Sequence, residues 1–274
     1  RILVEDLETL TSGSSASLPP KTMSLLSWSQ LLTKQAEQGL RRLEESLWLS
    51  QLKAIRPLPQ DYPITSDMNT LANAHLLTGE LNRDSTTELL KAPSVYFGSI
   101  NDVLLAALGI AICKWSDSHF GYSLGDPVVM LEGHGREGDV DLSRSVGWFT
   151  TAFPVRLPVG NLALDDTAMS RNQAVQVIKE CLRSIPEKGL GYGVLRHLDP
   201  QSQLSAHDIS QPQVLFNYLG RFDSTRTDNK RWSLAADSLM SAQDDLDRSR
   251  LHLIDINAIL DETGCFKFNI AYCA

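Results

Sequence analysis

The residues whose types best suit proton transfer are Glu132, His134 and Arg136, which alternate with Gly133 and Gly135 in the run LEGHGRE at 131–137. If the backbone stays extended there, the two-residue period of a strand places the three ionisable side chains on one face and the glycines on the other. A carboxylate at the end of an apolar strand is partly desolvated, which raises its pKa toward the range of a general base. A neighbouring guanidinium would pull it down again. The same spacing also fits a blander arrangement, with Glu132 and Arg136 paired across a turn and His134 structurally satisfied. The glycines lack Cβ, so they let a ligand or a second backbone approach, or let the chain turn sharply after the strand.

Asn217 and Tyr218, in FNYLG at 216–220, offer an amide and a phenol that can donate to charge developing on an oxygen. On a regular strand the two point to opposite faces, so only one reaches a shared site unless a bulge intervenes. Asn217 is preferred, because Tyr218 shares its face with Val214 and Phe216. A core role for Tyr218 and a backbone-satisfying role for Asn217 stay open. Arg144, Trp148 and Phe149 add a cation and two aromatics that either line a site or pack. His75, His119, His197, His207 and His252 belong to no comparable cluster and read as structural or exposed. Cys113, Cys181, Cys265 and Cys273 show no CxxC spacing, so no zinc site and no redox pair is signalled, and no other metal site is expected.

Positioning these groups requires strands, and the pattern supplies them. The apolar run 128–131 after the turn 125–127 has the length of a strand buried on both faces, with Glu132 at its end. Residues 152–159 read as a second strand, and Pro154 and Pro158 assign it to a sheet edge or a bulge. Further strands are expected within 69–82 and at 213–220. A hairpin is expected from 253–259 and 265–272 across the turn 261–264.

Helical spacing appears at the start of the chain, over 27–54 with Gly39 as an interruption, at 85–91, and over 164–185, while 11–20 reads as a surface loop. The clearest helix follows Ser99, which can cap it, with Asp102 at the third position and Val103, Leu104, Ala107, Leu108, Ala111, Ile112 and Trp115 on one stripe.

The hydrophobic fraction of 42% and charged fraction of 21% are ordinary for a globular chain of this length. A net charge of -8 without a basic stripe argues against a nucleic-acid partner, and the pairs Arg41-Arg42 and Lys230-Arg231 read as solvated surface. The longest apolar stretch, 103–113, is shorter than a bilayer requires, so no membrane partner is expected. Acidic residues near the start leave no room for a signal peptide, and the opening resembles the middle of a helix.

Four segments together carry a family resemblance: LEGHGRE at 131–137, DLSRSVGWFTTAFPVRL at 141–157, PEKGLGYGVLR at 186–196 and FNYLGRFD at 216–223. In order and spacing they resemble motifs of epimerization domains in nonribosomal peptide synthetases, and INDVLLAAL at 100–108 resembles a core helix of the shared fold. The resemblance implies an α/β, chloramphenicol-acetyltransferase-like layered sandwich. Residues 1–66 would be the helical end of the N-terminal lobe and a linker, and 67–274 the C-terminal lobe.

The implied activity converts an L-aminoacyl or peptidyl thioester to the D-form by deprotonation and reprotonation at Cα. Glu132 would be one acid/base group, Asn217 and Tyr218 would serve the enolate oxygen, and His134, Arg136, Arg144, Trp148 and Phe149 would support them. The implied partners are a peptidyl carrier protein, whose phosphopantetheine holds the substrate, and neighbouring adenylation and condensation domains, all in the cytoplasm; no cofactor of its own is implied. The family's paired-histidine motif HHxxxDG is missing from the sequence, and the family's C-terminal helix has no counterpart before Ala274. The expectation is a piece cut at both ends that is inactive alone. A condensation domain that forms peptide bonds and an inactive carrier-docking module are the alternatives.

Overall fold

The computed structural model describes residues 2–11, 17–65, 67–163, 165, 167–206, 209–221 and 245–273. His207, Lys230, Arg231 and the end of the run FNYLGRFD lie outside them.

The fold is a mixed α/β layer structure. Helices α1 (Ile2–Thr11), α2 (Leu25–Glu37) and α3 (Glu45–Leu52) come first. The expected break at Gly39 is real: it has φ +64, a conformation that favours glycine, and a 3₁₀ turn at Arg42–Glu44 restarts the helical path. Trp48 of α3 is fully buried, edge-on to Phe153 and Tyr192 at 6.1 and 5.5 Å between ring centres.

Strand β1 (Ala74–Glu80) leads into α4 (Arg83–Tyr96), capped by Asn82, whose side chain accepts from the Ser85 amide at 2.8 Å. Helix α4 runs past Lys91 and carries Pro93 within its last turns, ending at Phe97 with φ 49. Helix α5 (Ile100–Phe120) has both bonds of the capping box expected at Ser99 and Asp102. At 21 residues α5 is long and apolar enough to cross a bilayer. The apolar run at 103–113 is only its middle. Its buried residues, among them Leu105, Ala106 and Ile112, join the main core of the sheet and helices.

Strands β2 (Val128–Gly133) and β3 (Thr151–Arg156) pair antiparallel, followed by the short α6 (Gly160–Ala163) and by α7 (Ala168–Arg183), capped by Thr167. Helix α8 (Leu190–His197) follows a kinked turn at Pro186–Gly189. Strands β4 (Val214–Arg221), β5 (Ile254–Leu260) and β6 (Phe266–Cys273) complete a six-stranded sheet of order β1-β6-β5-β4-β2-β3. β2/β4 and β4/β5 are parallel and the other pairs antiparallel. β3 lies at the sheet edge, as its proline requires. The hairpin turn is held by Asp261, whose carboxylate accepts from the backbone N–H of Thr263 and Cys265, each at 2.9 Å.

Candidate active site

Val129 and Leu131 of β2 are buried in the main core, facing the same side as Phe153 of β3 and Phe216 of β4. Because side chains alternate along a strand, Glu132 emerges on the opposite face. Asn217 emerges there from β4, and its Nδ2 donates to Glu132 Oε2 at 2.7 Å. Tyr218 points back to the core side and stacks on Phe266, with ring centres 6.3 Å apart at 28°. The register shift in β4 lies between Tyr218 and Arg221, too late to turn Tyr218 toward Glu132.

The expected convergence of Glu132, His134 and Arg136 does not occur. The strand ends at Gly133, and Gly135 is buried with φ +64, so the two-residue alternation stops before His134. A Cβ at Gly135 would stand 1.5 Å from the Phe149 carbonyl oxygen, which shows how closely the two backbones meet. His134 is left exposed. Arg136 turns away, donates to the Leu142 carbonyl at 2.5 Å and lies 4.2 Å over the Phe149 ring. Arg144 is likewise committed elsewhere, to Glu5 at 3.0 Å and to Asp6 of α1. Phe149 is buried with Trp28, Leu142 and Leu190, whereas Trp148 is 85% exposed.

Among the described residues, therefore, no guanidinium contacts the Glu132 carboxylate. Its pKa is raised above the usual carboxylate range, chiefly because the surrounding strands displace water; His252 opposes the rise and Asp255 adds to it. Sequence reasoning assigned neither residue a role. Asp255 is gripped by Arg250, with Nη2 at 2.7 Å and Nε at 3.2 Å from the same carboxylate oxygen, and His252 Nδ1 lies 2.9 Å from the Pro212 carbonyl oxygen. Both come from the segment entering β5. The signal in the sequence is only an ionisable residue on either side of a strand start.

Beside Glu132 lies a cavity of about 440 Å³, lined by Ser99, Leu105, Leu131, Phe153, Ile185 and Lys188 among others. Lys188 belongs to the turn at Pro186–Gly189, where it and Glu187 both adopt left-handed backbone angles, with φ 46 and 41. Such conformations cost on the order of 1–3 kcal/mol each for side chains with Cβ. Surrounding bonds offset that cost: Arg41 makes two bonds to Glu187, Lys188 pairs with Glu137 at 2.9 Å, and Thr151 Oγ1 donates to the Lys188 carbonyl at 3.1 Å. Gly133 permits the approach, since a Cβ there would stand 3.0 Å from that carbonyl oxygen. Among the described residues no cluster of three or more His, Cys, Asp or Glu side chains is arranged to hold a metal ion.

The mixed six-stranded sheet with helices packed on its core face is a chloramphenicol-acetyltransferase-like fold. The chain belongs to the condensation-domain family, which it matches over residues 1–274. It is 38% identical over 272 residues to one component of the linear gramicidin synthase of Brevibacillus parabrevis, covering 95% of this chain and 3% of that protein. It is 39% identical over 237 residues to tyrocidine synthase 1 of the same organism, covering 82% of this chain and 20% of that one. The chain thus spans a small fraction of the curated relatives it matches. The epimerization domain from the third module of tyrocidine synthetase B superposes with a TM-score of 0.80 at 30% identity, covering all of this chain and 60% of that domain. The condensation domain of the monacolin K polyketide synthase MokA superposes at 0.66 with 12% identity, a likeness of fold alone.

Proposed function

We propose that the chain is the C-terminal part of an epimerization domain, with 1–66 completing one lobe and 67–274 forming the next, and that Glu132 is one of its two acid/base groups. The substrate is an aminoacyl or peptidyl thioester carried on the phosphopantetheine of a carrier protein, within a multidomain synthetase. Inverting Cα requires removal of a proton on one face and return of one on the other, so a single group does not suffice. The sequence holds no HHxxxDG motif. The second group is assigned to the portion of the solved epimerization domain that this chain does not span.

The observation that carries the reading is the isolated pair of Glu132 and Asn217: a carboxylate with a raised proton affinity, held in place by a neutral amide rather than neutralised by a cation. A base in that state can take up the α-proton and release it again. Asn217, bonded to the same carboxylate, fixes its orientation and stands next to where the thioester oxygen gains charge.

The test uses the complete domain with an L-aminoacyl carrier protein in deuterated water. Deuterium at Cα together with D-product is expected, and Glu132→Gln should lower both by about 100-fold or more. Dipeptide formation without deuteration would instead identify a condensation domain, and carrier binding without turnover an inactive docking module. A loss below about tenfold in the variant would remove Glu132 from the chemistry.

A further inference from the structure

The cavity beside Glu132 has an apolar buried lining, supplied by Leu105, Leu131, Phe153 and Ile185. The buried Asp102 also borders it, but that carboxylate is spent on the capping box, accepting from the Ser99 amide at 2.6 Å. The two cations at the cavity are engaged as well. Lys188 pairs with Glu137 at 2.9 Å, and Arg183 donates to the Phe97 carbonyl at 3.3 Å and lies 3.9 Å from Glu180. A ligand entering here meets hydrocarbon and aromatic surface rather than free charge.

Phe97 also lines this cavity, and its setting is unusual. It closes α4 with a left-handed backbone, φ 49, while its side chain stays 85% exposed. Strained backbone and exposed aromatic surface both cost stability. Several bonds hold the arrangement: the Phe97 and Gly98 amides both donate to the Pro93 carbonyl, and the buried Lys179 of α7 donates to the Tyr96 carbonyl at 3.0 Å. The scaffold thus fixes an aromatic ring at the cavity instead of folding it into the core. Glu132 joins the cavity to the open face of the sheet, because its carboxylate bonds Asn217 there while the residue borders the cavity.

We infer that this cavity receives the side chain of the amino acid being inverted, that it selects a large uncharged side chain, aromatic above all, and that Phe97 sets the preference. The inference rests on the epimerization reading. A thioester whose α-carbon meets the Glu132 carboxylate carries its side chain on that same carbon, next to the cavity. Size favours a large group: an apolar cavity of about 150 Å³ holds benzene, and this one, at about 440 Å³, takes the largest side chains and leaves a methyl group poorly covered. Charge of either sign is disfavoured, since a cation beside Glu132 would pull down its proton affinity and an anion would be repelled by it. An aromatic ring gains most, because it can pack offset or edge-on against Phe97 and Phe153.

The test gives the complete domain the N-acetylcysteamine thioesters of L-phenylalanine, L-leucine, L-alanine, L-lysine and L-glutamate, so that no adenylation step selects the side chain first. Turnover is read as α-deuterium incorporation in deuterated water. Even one methylene in an apolar pocket is worth about tenfold or more, so kcat/KM for the phenylalanyl thioester should exceed that for the alanyl one by about 50-fold or more. The leucyl thioester should fall between them, and the charged pair at or below alanyl. Phe97→Ala, and Asn101→Trp at an exposed lining residue, should each shrink the phenylalanyl-to-alanyl ratio about tenfold. Thermal unfolding confirms that each variant is folded. A native ratio within about threefold, a preference for a charged side chain, or a ratio unmoved in both variants would overturn the pocket while leaving Glu132 as the base. If the native domain exchanges no α-proton with any of these thioesters, the epimerization reading fails, and calorimetry then decides the pocket. Tighter binding of the phenylalanyl than the alanyl thioester, lost in Asn101→Trp, supports it; equal binding overturns it.

Discussion

Two adjacent stretches of the chain, 131–137 and 141–157, treat their charged residues in opposite ways. In the second, every arginine is bonded to the scaffold: Arg144 to α1, and Arg156 to the carbonyls of Gln51 in α3 and of Lys53 just after it. Ser145 and Thr151 are equally committed, to Met23 and to the Lys188 carbonyl. In the first, Arg136 follows the same habit, but Glu132 keeps a single amide partner and stays open to solvent. The contrast shows how the region divides its work. Cations anchor loops to helices, and their absence from the carboxylate is what lets its proton affinity rise.

That division can be broken outright at the seam between the two stretches. Gly135→Ala would place a side chain in a left-handed position against the Phe149 carbonyl. A loss of more than about 3 kcal/mol in chemical denaturation is expected, with the site disordered as a consequence. A subtler break puts a cation where the native chain withholds one. Ala152 is exposed and lies directly opposite Glu132 in the β2–β3 register. Ala152→Arg should hold the carboxylate ionised and, on the proposed reading, move the acid limb of the pH–rate profile to lower pH and slow α-proton exchange in the complete domain about tenfold at neutral pH while leaving the fold intact.

The smallest effect sharpens the comparison from the side of stability. A carboxyl whose pKa is raised on folding binds its proton more tightly in the folded state, so it costs stability as pH rises through the window between its unfolded and folded values. Glu132→Gln should therefore stabilise the fold above that window and leave it unchanged below the ordinary carboxylate range. The gain should stay under about 1 kcal/mol because solvent screens a partly exposed group. Thermal unfolding of both proteins across pH 3 to about 8 reads the difference; a gain confined to acid pH would contradict the assigned direction.

The sequence disclosed what local patterns control. The capping box before α5, the break at Gly39, the hairpin around Asp261 and the edge position of β3 each depend on a few neighbouring residues. It also brought Asn217 to the right face by simple alternation. Helix α8 stayed hidden because Gly191 and Gly193 dilute its helical signal and because it starts from a left-handed turn. Helix α4 outran its expected end because Pro93 removes one amide without ending the last turn. The placement of Arg136 depended on one φ angle at Gly135. The influence of His252 and Asp255 on Glu132 passes across β4, and no spacing within a single segment records a neighbour brought in by sheet order.

The sheet order also shapes how this chain reaches its native state. Among the described residues β1 pairs only with β6, Ala74 opposite Cys273, so the strand waits for a partner far along the chain. Pairings this distant in sequence close slowly, because a large loop must lose its freedom before any bond repays it. Until then Leu76 and Leu77, still 63% and 56% exposed in the finished fold, stand on a strand with both edges bare. Until β6 arrives, β1 is an unprotected pairing edge, the kind of segment prone to pairing with another chain.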